Sequence, residues 1–147
     1  MKTKHFVTSL FALVAMLTSC GDLLESSNNG KLDGNWNLVA IDTLESGGVA
    51  DLRTDRKFWA VQGKLLEMHD ADVGTAYIFQ FTFDGSQLTL FDARYNRREE
   101  GDPAVADLHE LAPFGINASE EQFKVEFPSR DKMMLTSAKL RLTFRRF

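Results

Sequence analysis

Apolar and polar residues alternate along most of the chain from about residue 36 to the end, and the clearest stretch is Thr75 to Asp92. Tyr77, Phe79, Phe81 and Phe83 are interleaved with Ile78, Gln80 and Thr82, the period of a strand with one buried face. Asp84-Gly85 follows, and because both positions tolerate positive φ it predicts a two-residue hairpin turn. Folding there pairs Phe83 with Ser86, Phe81 with Leu88 and Phe79 with Leu90, which builds one aromatic and leucine face. Gly63-Lys64 predicts a second turn, pairing Val61 with Leu66 and Trp59 with Met68. Ser137-Ala138 predicts a third, pairing Leu135 with Leu140 and Met133 with Leu142. Phe144 continues that face, while Lys139, Arg141, Thr143 and Arg145 take the other. Phe123, Val125 and Phe127 make one more half-buried strand, which runs into the turn-forming cluster Pro128–Asp131.

The pattern predicts strands near 36–43, 57–62, 65–69, 75–83, 86–93, 121–127, 132–136 and 139–146. One segment breaks the rhythm. Asp102 can cap a helix with Pro103 at its first position, Val105, Leu108 and Leu111 recur every third residue, and Pro113 and Gly115 end it. The fold class is therefore all-β: an eight-stranded antiparallel up-and-down barrel with one short helix. Eight strands suffice to close a sheet and abolish its edges. A two-layer sandwich is the alternative.

The first residues read differently. Lys2 and Lys4 precede an apolar run from Phe6 to Leu17, shorter than the roughly 20 residues a spanning helix needs. Small residues Thr18 and Ser19 come next, the layout of a secretory signal. This predicts a signal peptide at 1–19, a lipidated cysteine with a polar, flexible tether at 20–31, and a barrel domain at 32–147. The segment holds Lys2 and Lys4 and no acid, so the remainder carries 15 of the 17 basic side chains against all 21 acidic ones. That balance argues against a nucleic-acid partner and against a polybasic grip on lipid. Cys20 is the single cysteine, so no internal disulfide forms.

Leu17-Thr18-Ser19-Cys20 resembles the bacterial lipobox. In that family the thiol takes a diacylglycerol, the peptide is cut before the cysteine, and the new amino group is acylated with a fatty acid such as palmitate. Two or more acyl chains give durable anchoring. The implied location is a bacterial cell envelope, at the outer membrane, with the face left open. Eukaryotic secretion is the rival, for which Asn117-Ala118-Ser119 is a nominal sequon. Gly34-Asn35-Trp36 resembles the Gly-X-Trp signature of the lipocalins, and the last strand closes on Arg145-Arg146-Phe147. The whole mature chain is similar to small lipocalin-like lipoproteins of Bacteroidota. The resemblance implies that Trp36 plugs the barrel base, with Gly34 at the strand start and Arg146 stacked over the ring. Longer lipocalins have a larger mouth loop and a long helix after the barrel, whereas this chain ends at the last strand.

No nucleophile motif or Gly-rich phosphate loop is present, so no catalytic residue, enzyme activity or cofactor is expected. Glu67, His69, Asp70 and Asp72 cluster after the third strand, with His109 a further candidate, but no second histidine has ligand spacing, and no metal site is expected. Arg94, Arg97, Arg98, Glu99 and Glu100 read as a solvated charge run, and Asp42-Thr43-Leu44 resembles an O-glycosylation site of some bacterial envelopes. The possible ligand-lining residues are Trp59, Met68, Tyr77 and Phe79 from the first hairpins. Phe81, Phe123, Leu135 and Leu140 complete that set. Two functions compete: a tethered barrel that binds a small apolar or amphipathic ligand, and an accessory subunit with a filled core that docks another envelope protein through its outer surface.

Overall fold

A computed structural model describes residues 29–147. The expected signal peptide, Cys20 and the tether to residue 28 lie outside the described residues. The strands are β1 (Gly34–Thr43), β2 (Val49–Asp51), β3 (Lys57–Gln62), β4 (Leu65–Asp70), β5 (Thr75–Phe83), β6 (Gln87–Tyr95), β7 (Glu121–Ser129), β8 (Lys132–Thr136) and β9 (Leu140–Arg146). Each pairs antiparallel with its neighbour, and β1 also pairs with β9 from Trp36↔Arg146 to Thr43↔Leu140. That last pairing closes an eight-stranded barrel and rules out the open sandwich.

β2 is the extra strand, which the alternation did not reveal. It pairs with Ala40–Asp42, while β3 pairs with Gly34–Asn37 on the same edge of β1. The two together act as one interrupted strand. A register shift between Leu38 and Ala40 accompanies the break. It turns Ile41 inward after Trp36 and Leu38, and all three join the core.

The Gly63-Lys64 hairpin has the expected register, with Val61↔Leu66 and Trp59↔Met68. Two other hairpins turn one residue later than the sequence suggests. Phe81 faces Leu90 and Phe83 faces Leu88, so the turn is Gly85-Ser86. Leu135 faces Leu142 and Met133 faces Phe144, so the turn is Ala138-Lys139. In each case a polar side chain just before the turn holds it. The Asp84 carboxylate accepts from the backbone N–H of Ser86 and Gln87 at 2.9 and 2.7 Å. The Ser137 hydroxyl accepts from the N–H of Leu140 at 3.1 Å. A turn moved by one residue shifts partners by two, so every side chain keeps its face.

The predicted helix from Asp102 is corrected. Asp102 is left-handed (φ 48) and its carboxylate accepts from Arg97 N–H at 2.9 Å, closing a loop instead of opening a helix. Pro103 to Val105 then run along β6, with Tyr95 N–H donating to Pro103 O and Val105 N–H to Ala93 O. The helix is a 3₁₀ helix at Leu108–Phe114, capped by the Asp107 side chain and ended by Gly115.

Strand directions define two ends. The base holds the starts of β1 and β4, the end of β9 and the turns at 63–64, 85–86 and 130–131. The mouth holds segments 44–56, 71–74, 96–120 and 137–139. The long mouth segment sends Leu111, Phe114 and Ile116 into the core, where all three are buried beside strand residues. Gly115 makes this entry possible. Its φ is +91, and a Cβ there would lie 2.5 Å from a Leu142 methyl. Gly115→Ala is therefore expected to lower unfolding free energy by about 2–4 kcal/mol, combining left-handed strain with overpacking. Gly47→Ala, also at positive φ but with open space around the new methyl, should cost only about 1 kcal/mol. Urea denaturation of both variants checks the difference.

Candidate functional site

The base is built around Trp36. Its ring is fully buried, and Nε1 donates to Leu32 O at 2.9 Å. The Arg146 guanidinium lies 4.2 Å from the ring centroid, close enough for cation–π attraction. Arg146 Nη1 donates to Asp33 O and Nη2 to Lys31 O, both at 3.1 Å. Gly34 has φ +130, and a Cβ there would lie 2.7 Å from Arg146 Nη1. Glycine is thus required where the arginine crosses the strand start. Residues 30–32, placed partly in the tether by sequence, form a short 3₁₀ helix that belongs to this floor.

The eight side chains named from sequence as ligand-lining pack into the core. Trp59, Met68, Tyr77, Phe79, Phe123 and Leu135 are buried, and Phe81 and Leu140 pack against them. Trp59 meets Phe123 and Phe144 edge-on at 5.9 and 5.0 Å. Its Nε1 is buried with no partner. The residues that sequence reasoning missed are those of the mouth segment. Tyr77 and Phe114 meet edge-on at 5.8 Å. Glu110 accepts from Tyr77 OH at 3.1 Å and from Tyr95 OH at 3.0 Å. Burial and this carboxylate together raise the Tyr77 phenol, and the same hydrogen bond raises Tyr95. The mouth helix is thus pinned to β5 and β6. No local sequence signal tied Glu110 to tyrosines 33 and 15 positions earlier.

What remains of the mouth is a cleft of about 550 Å³ between β1, β2 and the helix. Ile41, Thr43 and Leu52 form its wall, Ala112 and Pro113 its far side, and Lys57 and Asp55 its polar rim. A larger concavity of about 680 Å³ lies where β7 passes the β8–β9 turn. Its lining is mostly exposed and polar, with Phe123 the one predicted lining residue present. The smaller cleft is the better candidate because interior-facing apolar side chains reach it.

Lys57 Nζ lies 3.1 Å from Asp70 and 3.2 Å from Asp55, and the Lys57 and Asp70 side chains are only 14% and 10% exposed. Burial alone would raise the Asp70 carboxyl. Hydrogen bonds from Lys57 and from the backbone N–H of Asp72 and Val73 outweigh it and hold the group below its ordinary value. For Lys57 burial opposes the charge, and the two carboxylates outweigh it, leaving the ammonium raised. Of the other proposed ligating groups, only Glu67 and His69 meet, with His69 Nδ1 3.5 Å from the Glu67 carboxylate. His69 stacks on Phe58 at 5.1 Å, Asp72 pairs with Arg56, and among the described residues no group of three could hold a metal. In the charge run, Arg94 pairs with Asp92 and Arg97 with Glu100, and Arg97 also covers Tyr95.

Two outcomes follow. Trp36→Phe removes the bond to Leu32 and weakens the Arg146 stack, whereas Trp59→Phe removes an unpaired donor. Trp36→Phe should cost about 1–2 kcal/mol more by urea denaturation. Asp70→Asn should cost about 2 kcal/mol at neutral pH by leaving Lys57 with Asp55 alone and weakening the charge-assisted bonds that Asp70 accepts. Asp70 is depressed in the folded state, so its contribution is present above the unfolded carboxylate value of about 3.9 and is lost as pH falls through the lower folded one. The gap between wild type and Asp70→Asn should shrink as thermal melts move from about pH 5 towards pH 2.

A model of the lipocalin-like domain family matches residues 15–147. No curated protein matches the chain. Among solved structures, a lipocalin-like protein from Bacteroides uniformis is 21% identical, with TM-score 0.60 over 80% of this chain and 100% of that one. An uncharacterized protein from Bacteroides eggerthii is 19% identical, with TM-score 0.58 over 78% of this chain and 98% of that one. These likenesses concern the fold, a closed antiparallel barrel. The family match, which spans most of the chain, establishes that it belongs to the lipocalin-like domain family.

Proposed function

We propose that the protein is a lipid-anchored binding module of a bacterial envelope, and that it holds the apolar part of a small amphipathic molecule in the mouth cleft. The observation that carries this reading is the cleft itself. It lies where two apolar residues packed against the interior, Ile41 and Leu52, remain partly open, and its volume of about 550 Å³ falls within the range of small-molecule sites. The polar rim of Lys57 and Asp55 would meet the ligand's hydrated end. Anchoring is supported by the Leu17–Cys20 motif, and a bacterial origin by the Bacteroides neighbours. The reading is of a binder and not of a catalyst.

A second reading has its own observation. The deep interior is filled by strand side chains and by Leu111, Phe114 and Ile116. A filled barrel suits an accessory subunit that docks a partner through its outer surface. Native mass spectrometry of the domain purified from its host separates the two. The first reading expects a retained small-molecule mass that disappears in Leu52→Trp, which fills the cleft, with the folded barrel preserved. A bare mass for the wild-type domain, with a co-purified envelope protein, supports the second. Anchoring is tested separately: Cys20→Ser precursor should leave the membrane fraction after a high-salt wash, and retention there would refute the lipid attachment.

A further inference from the structure

We infer that the barrel base is a membrane-docking face, whose basic rim rests on an anionic phospholipid surface. The inference rests on the anchored reading for the position of the tether, but the charge arrangement stands independently. Asn29, the first described residue, is fixed at the base, where its side chain donates to Gly63 O at 2.8 Å. Cys20 lies nine residues before it, a span of at most about 30 Å when extended. A lipid on Cys20 would therefore attach to the barrel at its base end.

The fold sorts charge by end. The base segments 29–33, 63–64, 84–86, 129–132 and 145–147 carry six basic side chains against three acidic ones. Lys31, Lys64, Arg130, Lys132 and Arg145 are exposed there. The mouth segments 44–56, 71–74, 96–120 and 137–139 carry ten acidic side chains against five basic. The acidic average of the chain thus hides a basic end. Each cation within a Debye length of an anionic leaflet is attracted to it, and the acidic mouth is repelled. Phe147 adds an apolar element at the same rim: it is 79% exposed, with its ring edge-on to Phe58 at 5.0 Å. An aromatic beside a basic cluster suits the headgroup boundary. An acyl anchor with a basic patch supplies two membrane signals in place of one.

The test uses the chain from residue 20 with Cys20→Ser, which keeps the whole closed barrel and carries no acyl chain. The probes are vesicles of phosphatidylcholine alone and of phosphatidylcholine with an equal share of phosphatidylglycerol. Partition at low salt should be about tenfold stronger on the anionic vesicles, and several-fold weaker again at about 0.5 M salt. The triple variant Lys64→Glu/Arg130→Glu/Lys132→Glu should fall to the level seen on phosphatidylcholine. Lys31→Glu/Arg145→Glu, at separate exposed positions, should do the same if the triple variant fails to fold. Arg53→Glu/Arg98→Glu/Lys139→Glu, the same change of charge made at exposed mouth positions, should leave partition near the wild-type value. Equal partition on the two vesicle types, or folded base variants that bind like wild type, overturns the inference. The intact mass of the native protein reports acylation of Cys20 separately, so failure of the anchor and failure of the docking face are distinguishable.

Discussion

The pairing of the first strand with the last is the constraint on which the structure depends. Trp36 meets Arg146 across that seam, and the guanidinium ties the floor carbonyls of Lys31 and Asp33 to the end of β9. Without the seam, β1 and β9 would each present an open edge, and the aromatic interior would lose the wall that β1 and β9 together provide. The contact joins residues more than a hundred positions apart. Such non-local closure is slow to find and strongly cooperative once formed, so the Trp36–Arg146 lock acts on the whole barrel and not only on its base.

Much of this was legible in the chain because a strand's facing is a matter of period. The alternation of Tyr77, Phe79 and Phe81, and of Met133, Leu135, Leu142 and Phe144, identified inward positions that are buried or partly buried in the structure. What was not legible depends on side chains acting at a distance. Turn positions moved because Asp84 and Ser137 capture backbone N–H groups just beyond them. β2 is too short to show a period, and it forms only because the upper half of β1 needs a partner. The helix start moved because Asp102 is used to close the preceding loop. The Trp36–Arg146 arrangement came from a family resemblance, whereas the mouth cleft had no signal at all, since it is formed where β1, β2 and the 3₁₀ helix converge.

The packed interior shapes what the barrel can do. Trp59, Phe123 and Phe144 leave the centre to protein side chains, and the mouth helix fills the upper part. On the proposed reading, recognition falls to the rim, between a partly open apolar wall and Lys57, which pairs with Asp70. That ion pair has a structural task of its own, because Asp70 also bonds the backbone of the β4–β5 turn. The rim is consequently stiff on its β3–β4 side and bounded by a single 3₁₀ helix on the other.

The β5–β6 register shifts between Ile78 and Gln80, with Asp92 in the left-handed conformation. Below the shift Leu88 and Leu90 point inward; above it Ala93 and Tyr95 do. One extra residue has thus changed the parity of the strand, and only with that parity can Tyr95 join Tyr77 in gripping Glu110. The consequence concerns which length changes the fold can absorb. The loop between Tyr95 and Asp107 can grow or shrink while its ends stay in place. A single-residue insertion or deletion between Leu90 and Tyr95 turns the tyrosine to solvent and releases one of the helix's two phenol anchors. The mouth is therefore set by a count of residues in a strand as much as by the chemistry of the residues that fill it.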